Sequence, residues 1–133
     1  MTFRSSLSLI AASAIIAAGC GGDGESDAEG RATPEQAIAE IGEVRKSLEA
    51  ALRAYEAGDA AEADQQVGDA YLEHFELVEG PLDEVDHALT EELEDGIREE
   101  LRGKIRDKAP EAEVKALHDE IEASLAKAEA ALR

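Results

Sequence analysis

Apolar residues recur every three or four positions through most of 33–133, and that period commits the stretch to helices. The first run is Ala37, Ile41, Val44, Leu48, Ala51 and Tyr55, one stripe along one helix face. Thr33 with Gln36 forms a capping box, and Pro34 takes the first helical position, where its missing N–H costs nothing. Gly58 ends the run in a left-handed turn. Asp59 with Glu62 reads as a second capping box, opening a helix whose face carries Ala63, Val67, Ala70, Tyr71, His74 and Val78. Gly80-Pro81 is expected to stop it, followed by a turn through Leu82 to Asp86. Leu89, Leu93, Ile97, Leu101 and Ile105 mark a third helix; their spacing is four throughout, so on a regular helix the stripe drifts. Ala109-Pro110 breaks the chain. Pro110 opens a fourth helix, with Glu111 and Glu113 favourably placed at its N-terminus and a stripe of Val114, Leu117, Ile121, Leu125, Ala128 and Leu132.

Helices of this length joined by a few residues favour antiparallel neighbours. The expected fold is all-α, an up-and-down antiparallel four-helix bundle over 33–133, preceded by a signal peptide and a flexible tether. Aromatics make up 3% of the chain and turn signals are sparse, which argues against a sandwich or barrel. A single Cys excludes an internal disulfide and a Cys-based zinc site. With 32 acidic against 13 basic residues the formal charge is −19, the wrong sign for a nucleic-acid partner.

Residues 1–19 read as an address. They hold no acidic residue; Arg4 supplies the positive start, and Leu7 to Ala18 is apolar apart from Ser8 and Ser13. The stretch is too short to span a bilayer comfortably. Its end, Ile16-Ala17-Ala18-Gly19-Cys20, resembles the lipobox of bacterial lipoproteins. That resemblance implies cleavage before Cys20 and lipidation of its thiol, with palmitate-type acyl chains as anchor. The body is then extracytoplasmic, in the periplasm where there are two membranes, tethered to a cell membrane by its N-terminal lipid. Two or three acyl chains anchor stably where one is marginal. The processed chain would carry a charge of about −20, which keeps it off anionic headgroups. Residues 20–32 are the lipidated Cys and a Gly-rich acidic tether reaching roughly 20 Å.

The most distinctive segment runs from Asp69 to Leu82 and contains Tyr71-Leu72-Glu73-His74-Phe75-Glu76-Leu77-Val78-Glu79. With Tyr55, Gly58 and Asp59 ahead of it, the segment resembles the extracytoplasmic helical domain of bacterial Ftr-type high-affinity iron permeases. The matching positions are Tyr71, Leu72, Phe75, Glu76 and Glu79, and the likeness extends loosely from Leu48 to Leu132. This chain lacks the permease's membrane helices, so the resemblance implies a detached, lipid-anchored version of the outer domain, acting beside an iron permease or another envelope protein. Read physically, Glu76 and Glu79 are three apart and neighbour each other on a helix. With Val67 and Val78 as the buried centre, Glu76 points to the opposite side and Glu79 to the flank. Paired carboxylates suit iron or another divalent or trivalent cation, and Asp69 and Glu73 can add oxygens. A solvated acidic face, or an adaptation of a general envelope lipoprotein to high salt, explains the same residues. Leu72, Phe75 and Glu79 form an alternative interaction face on the flank, for a partner helix or a second copy.

His74 sits on the apolar stripe, as a buried neutral imidazole or as a ligand. Glu84 and His87 have the Glu-x-x-His spacing of di-iron bundles, but those need the motif twice. His118 and Glu122, four apart, read as a surface pair in preference to a metal bridge. No phosphate loop, zinc-protease motif or nucleophile elbow is present in the sequence, so a non-enzymatic role is expected.

Overall fold

The computed structural model describes residues 31–133. The signal peptide, Cys20 and all of the tether but its last two residues lie outside them. Within the described residues the chain is all-helical, in four rods. Helix α1 is Pro34–Glu56. Helix α2 covers 60–83, with a π-helical turn, Ala70–Phe75, between two α-helical parts, Ala60–Asp69 and Glu76–Asp83. Helix α3 covers 87–106 and carries a second π-turn, Gly96–Leu101, between His87–Asp95 and Arg102–Arg106. Helix α4 is Glu111–Ala131. Among the described residues no helix is long and apolar enough to cross a membrane.

The ends form as the sequence dictates. Thr33 and Gln36 close the capping box, Thr33 Oγ1 accepting from the Gln36 amide at 3.3 Å. Asp59 and Asp86 cap α2 and α3, accepting from the amides of Glu62 and Leu89; the expected box at Asp59 stays half-formed, because the Glu62 side chain accepts from Gln66 instead. After α1, the Gly58 amide donates to Tyr55 and the Asp59 amide to Ala54, with Gly58 at φ 86°. The same turn follows α3, where Lys108 holds the left-handed position at φ 53° without glycine's freedom. Tyr55 bridges the two turns, its hydroxyl donating to the Ala109 carbonyl at 2.5 Å.

All six α1 stripe residues and all six α4 stripe residues are buried in one continuous core. In α3 the run of fours is buried as well, from Leu89 to Ile105. Four steps of four residues drift by about 160° on a regular helix at 100° per residue. The π-turn adds one residue and takes back about 100°, leaving the rest within the width of an ordinary apolar stripe. The second run of fours, Ala63, Val67, Tyr71 and Phe75, is accommodated by the π-turn of α2 in the same way.

Gly80-Pro81 does not end α2, contrary to expectation; the helix continues to Asp83. Val78, Pro81 and Leu82 are all buried there, and their burial outweighs the one donor that Pro81 lacks. Helix α1 packs against α2 and α4, α2 against α3, and α3 against α4. Helices α3 and α4 meet beside Gly96, where an added Cβ would lie 3.4 Å from Ile121, an ordinary van der Waals contact.

If a π-turn is one residue inserted into a helix, removing an exposed residue from it leaves both flanks in register. Deletion of Glu100 is therefore expected to keep the helical circular dichroism and to cost within about 1 kcal/mol in urea unfolding. Deletion of Glu120 in the regular α4 turns the remaining stripe by about 100° and should abolish cooperative folding.

Candidate functional site

The π-turn of α2 rearranges the segment that the sequence singled out. One extra residue turns everything beyond it by about 100° relative to a straight helix. Phe75, expected on an outer flank, is instead fully buried in the core. His74, expected on the apolar stripe, moves to its edge and is only partly buried; its Nδ1 lies 2.8 Å from Glu40 Oε2 of α1. Glu79 swings inward. Leu72 stays outside at 60% exposure, so it and Phe75 do not share a face for docking.

The carboxylates expected to share a cation differ in their burial. Glu73 and Glu76 are exposed, Asp69 and Glu79 half-buried. Among the described residues no three His, Cys, Asp or Glu side chains are placed to hold one metal ion.

What the two π-turns do bring together is Tyr71 and Glu79 of α2 with Glu94 and Arg98 of α3. The Tyr71 hydroxyl lies 3.5 Å from Glu94 Oε1, and the Arg98 guanidinium sits 5.6 Å from the centre of the Tyr71 ring. Arg98 also pairs with Glu94 at 2.6 Å and with Glu99 at 3.0 Å. The Tyr71 ring in turn leans on Phe75, with centroids 6.0 Å apart. Glu79 is the unsatisfied member: its Oε1 is buried and has no hydrogen-bond partner. Burial holds the Glu79 carboxyl above the usual carboxylate range, and Glu94 and Glu76 add to this, against the opposing pull of Tyr71 and Arg98. Burial also pushes the Tyr71 phenol up to about 12, helped by the Glu79 carboxylate beside it. No signal for this grouping stands in the sequence beyond the two runs of fours, since Glu94 and Arg98 are ordinary helix-surface residues by type.

The remaining histidines lie elsewhere. His87 is exposed between Asp83 and Glu91, and its Asp83 partner raises its pKa. Glu84 pairs with Arg31 at 2.6 Å, so Glu84 and His87 form no joint site. His118 is buried rather than a surface residue, because the α4 stripe is wide enough to take it in. Its Nδ1 is 3.4 Å from Asp119 and its Nε2 has no partner, while Glu122 turns to Arg45 at 3.3 Å.

No family model, curated protein or solved structure matches the chain.

The burial pattern gives a direct contrast within one turn of α2. Phe75→Ala should destabilise the protein by about 3–5 kcal/mol in urea unfolding. Leu72→Ala should stay within about 0.5 kcal/mol. Equal effects would contradict the placement.

Proposed function

We propose that this protein is a lipid-anchored extracytoplasmic accessory, non-enzymatic, that gathers iron or similar cations beside an envelope permease. Its body is an up-and-down antiparallel four-helix bundle. The order is supported by cross-helix pairs that run in opposite directions along neighbouring rods: Arg31 with Glu84 and Glu40 with His74, then Asp64 with Arg102 and Tyr71 with Glu94. Ser124 with Glu92 and Lys104 with Glu113 continue the pattern between α3 and α4.

The observation that carries the cation reading is the buried, unpartnered Oε1 of Glu79, with Glu76 and Glu94 close enough to act on its charge. A hard cation supplies what that oxygen lacks and relieves the repulsion around it. Weak capture and ready release suit a carrier better than a closed cage of ligands. The Tyr71-to-Glu79 segment, similar to the outer domain of Ftr-type iron permeases, supports iron as the cargo. The lipobox-like end at Cys20 supports the anchor, and the acidity supports cation enrichment at the surface.

Two experiments test the two halves of the reading. Titration of the purified processed chain with ferrous and ferric iron, followed calorimetrically, should show binding that Glu76→Ala with Glu79→Ala weakens at least severalfold; unchanged binding rejects the assigned residues. Cys20→Ser should leave the precursor unprocessed and shift the protein out of the membrane fraction. Retention of the variant in that fraction rejects the lipid anchor.

A further inference from the structure

We propose that the groove between α3 and α4 beside Gly96 is a docking site for an arginine-bearing segment of a partner protein. It lies on the α4 side of α3, whereas Glu94 and Arg98 face Tyr71 of α2, and it needs neither Glu79 nor a metal. The groove measures about 110 Å³. Leu93 and Gly96 of α3 and Leu117 and Ile121 of α4 line it and are all buried, so they form its floor. Gly96 adds no side chain there, and even an added Cβ would meet Ile121 only at ordinary contact distance. Glu92, Glu100 and Glu120 line the same groove but are exposed, so they form its rim.

An apolar floor under an anionic rim selects the occupant. The bases of α3 and α4 are committed elsewhere: Arg98 to Glu94 and Glu99, Arg102 to Asp64, Lys115 to Asp119. Lys127 comes no nearer than 4.0 Å to Glu92. The Ser124 hydroxyl donates to Glu92 Oε1 at 2.5 Å and fixes that carboxylate at the lip. Glu100 and Glu120 have no cation beside them among the described residues, so the rim keeps a net negative charge. A metal ion needs oxygens that converge on one point, and among the described residues no three such side chains do. A guanidinium makes no such demand: its planar fork of five donors bridges carboxylates set apart. Its methylene stem covers the apolar floor while its charge stays at the wet rim. Lysine's compact ammonium bridges less, and an acidic partner or a phosphate is repelled by the same rim.

The second π-turn builds this groove as well as the core. Glu92, Gly96 and Glu100 are spaced by four and would drift by about 80° on a regular helix. The turn over Gly96–Leu101 takes that drift back, so that both carboxylates flank one hollow. Each ion pair formed at the exposed rim is worth little and is screened by salt. The contact is therefore weak, reversible and salt-sensitive, and the floor supplies the part of it that salt leaves untouched.

The test is an NMR titration of the processed chain with an acetylated, amidated hexapeptide carrying two arginines, in chelator-treated buffer at about 0.15 M salt. The same peptide with citrulline in place of arginine keeps the shape and removes the charge. The arginine peptide should shift the methyl signals of Leu93, Leu117 and Ile121 most, and leave the exposed Leu72 and Val85 unmoved. The citrulline peptide should leave the floor methyls unmoved as well. Glu100→Gln with Glu120→Gln should weaken binding at least about fivefold. Glu35→Gln with Glu56→Gln removes the same net charge from exposed positions of α1 and should weaken it less than about twofold. All four positions are exposed, so both double variants should keep the helical circular dichroism. Equal weakening by the two double variants, shifts spread over the whole acidic surface, or equal binding of the citrulline peptide would overturn the docking site. The iron titration reads Glu76 and Glu79, so either proposal can fail without the other.

Discussion

The continuity of the apolar core through two π-helical turns is the constraint on which the rest of the structure depends. In α2 and α3 the apolar residues are spaced by four over three or four successive steps, more than a regular helix can keep on one face. One inserted residue in each helix restores the alignment, so that Ala63 and Leu82 at opposite ends of α2 both face the core. A straight α2 would put Phe75 on its flank and leave a void at the centre, at a cost of several kcal/mol. The hydrogen bonding given up in a single turn is the smaller loss.

The polar chemistry follows from that solution. The turn that draws Phe75 into the core also draws Glu79 towards it, next to Tyr71 and opposite Arg98 and Glu94 of α3. Elsewhere the few cations are placed economically: Asp64 receives both Arg102 and Arg106, and Arg45 reaches Glu122 and Glu129 of α4. The Arg102 hydrogen bond, against some burial, holds the Asp64 carboxyl below the usual range. With so few basic residues, the acidic surface cannot be neutralised by the protein itself. Glu79 keeps one buried oxygen without a partner, and the cation proposal rests there.

Much of the architecture is legible in the sequence. The stripes of α1 and α4, the caps at Thr33 and Asp59, and the turn at Gly58 are local features, and local rules suffice for them. The all-helical class with four helices follows from the same signals. What local rules miss is rotational. A projection at 100° per residue puts His74 on the stripe and Phe75 off it, because a π-turn has no residue signature of its own. The runs of four in α2 and α3 are the trace it leaves, visible as drift but not as a turn at a given residue. Gly80-Pro81 misleads for a related reason: the breaker signal is local, and the burial of Pro81 and Leu82 that overrides it is not. His118 is missed because a stripe drawn through Leu117 and Ile121 ignores how wide the buried face is.

The central claim is that an extra residue in the α2 turn carries Phe75 into the core while Leu72 remains outside. Solvent paramagnetic relaxation, read on the assigned side-chain NMR signals of the processed chain, tests it most directly. The account predicts strong broadening at Leu72, little or none at the Phe75 ring or Leu101, and an intermediate effect at Glu79. Comparable broadening of Phe75 and Leu72 would mean that α2 runs straight, and would contradict both the fold described and the site built on it.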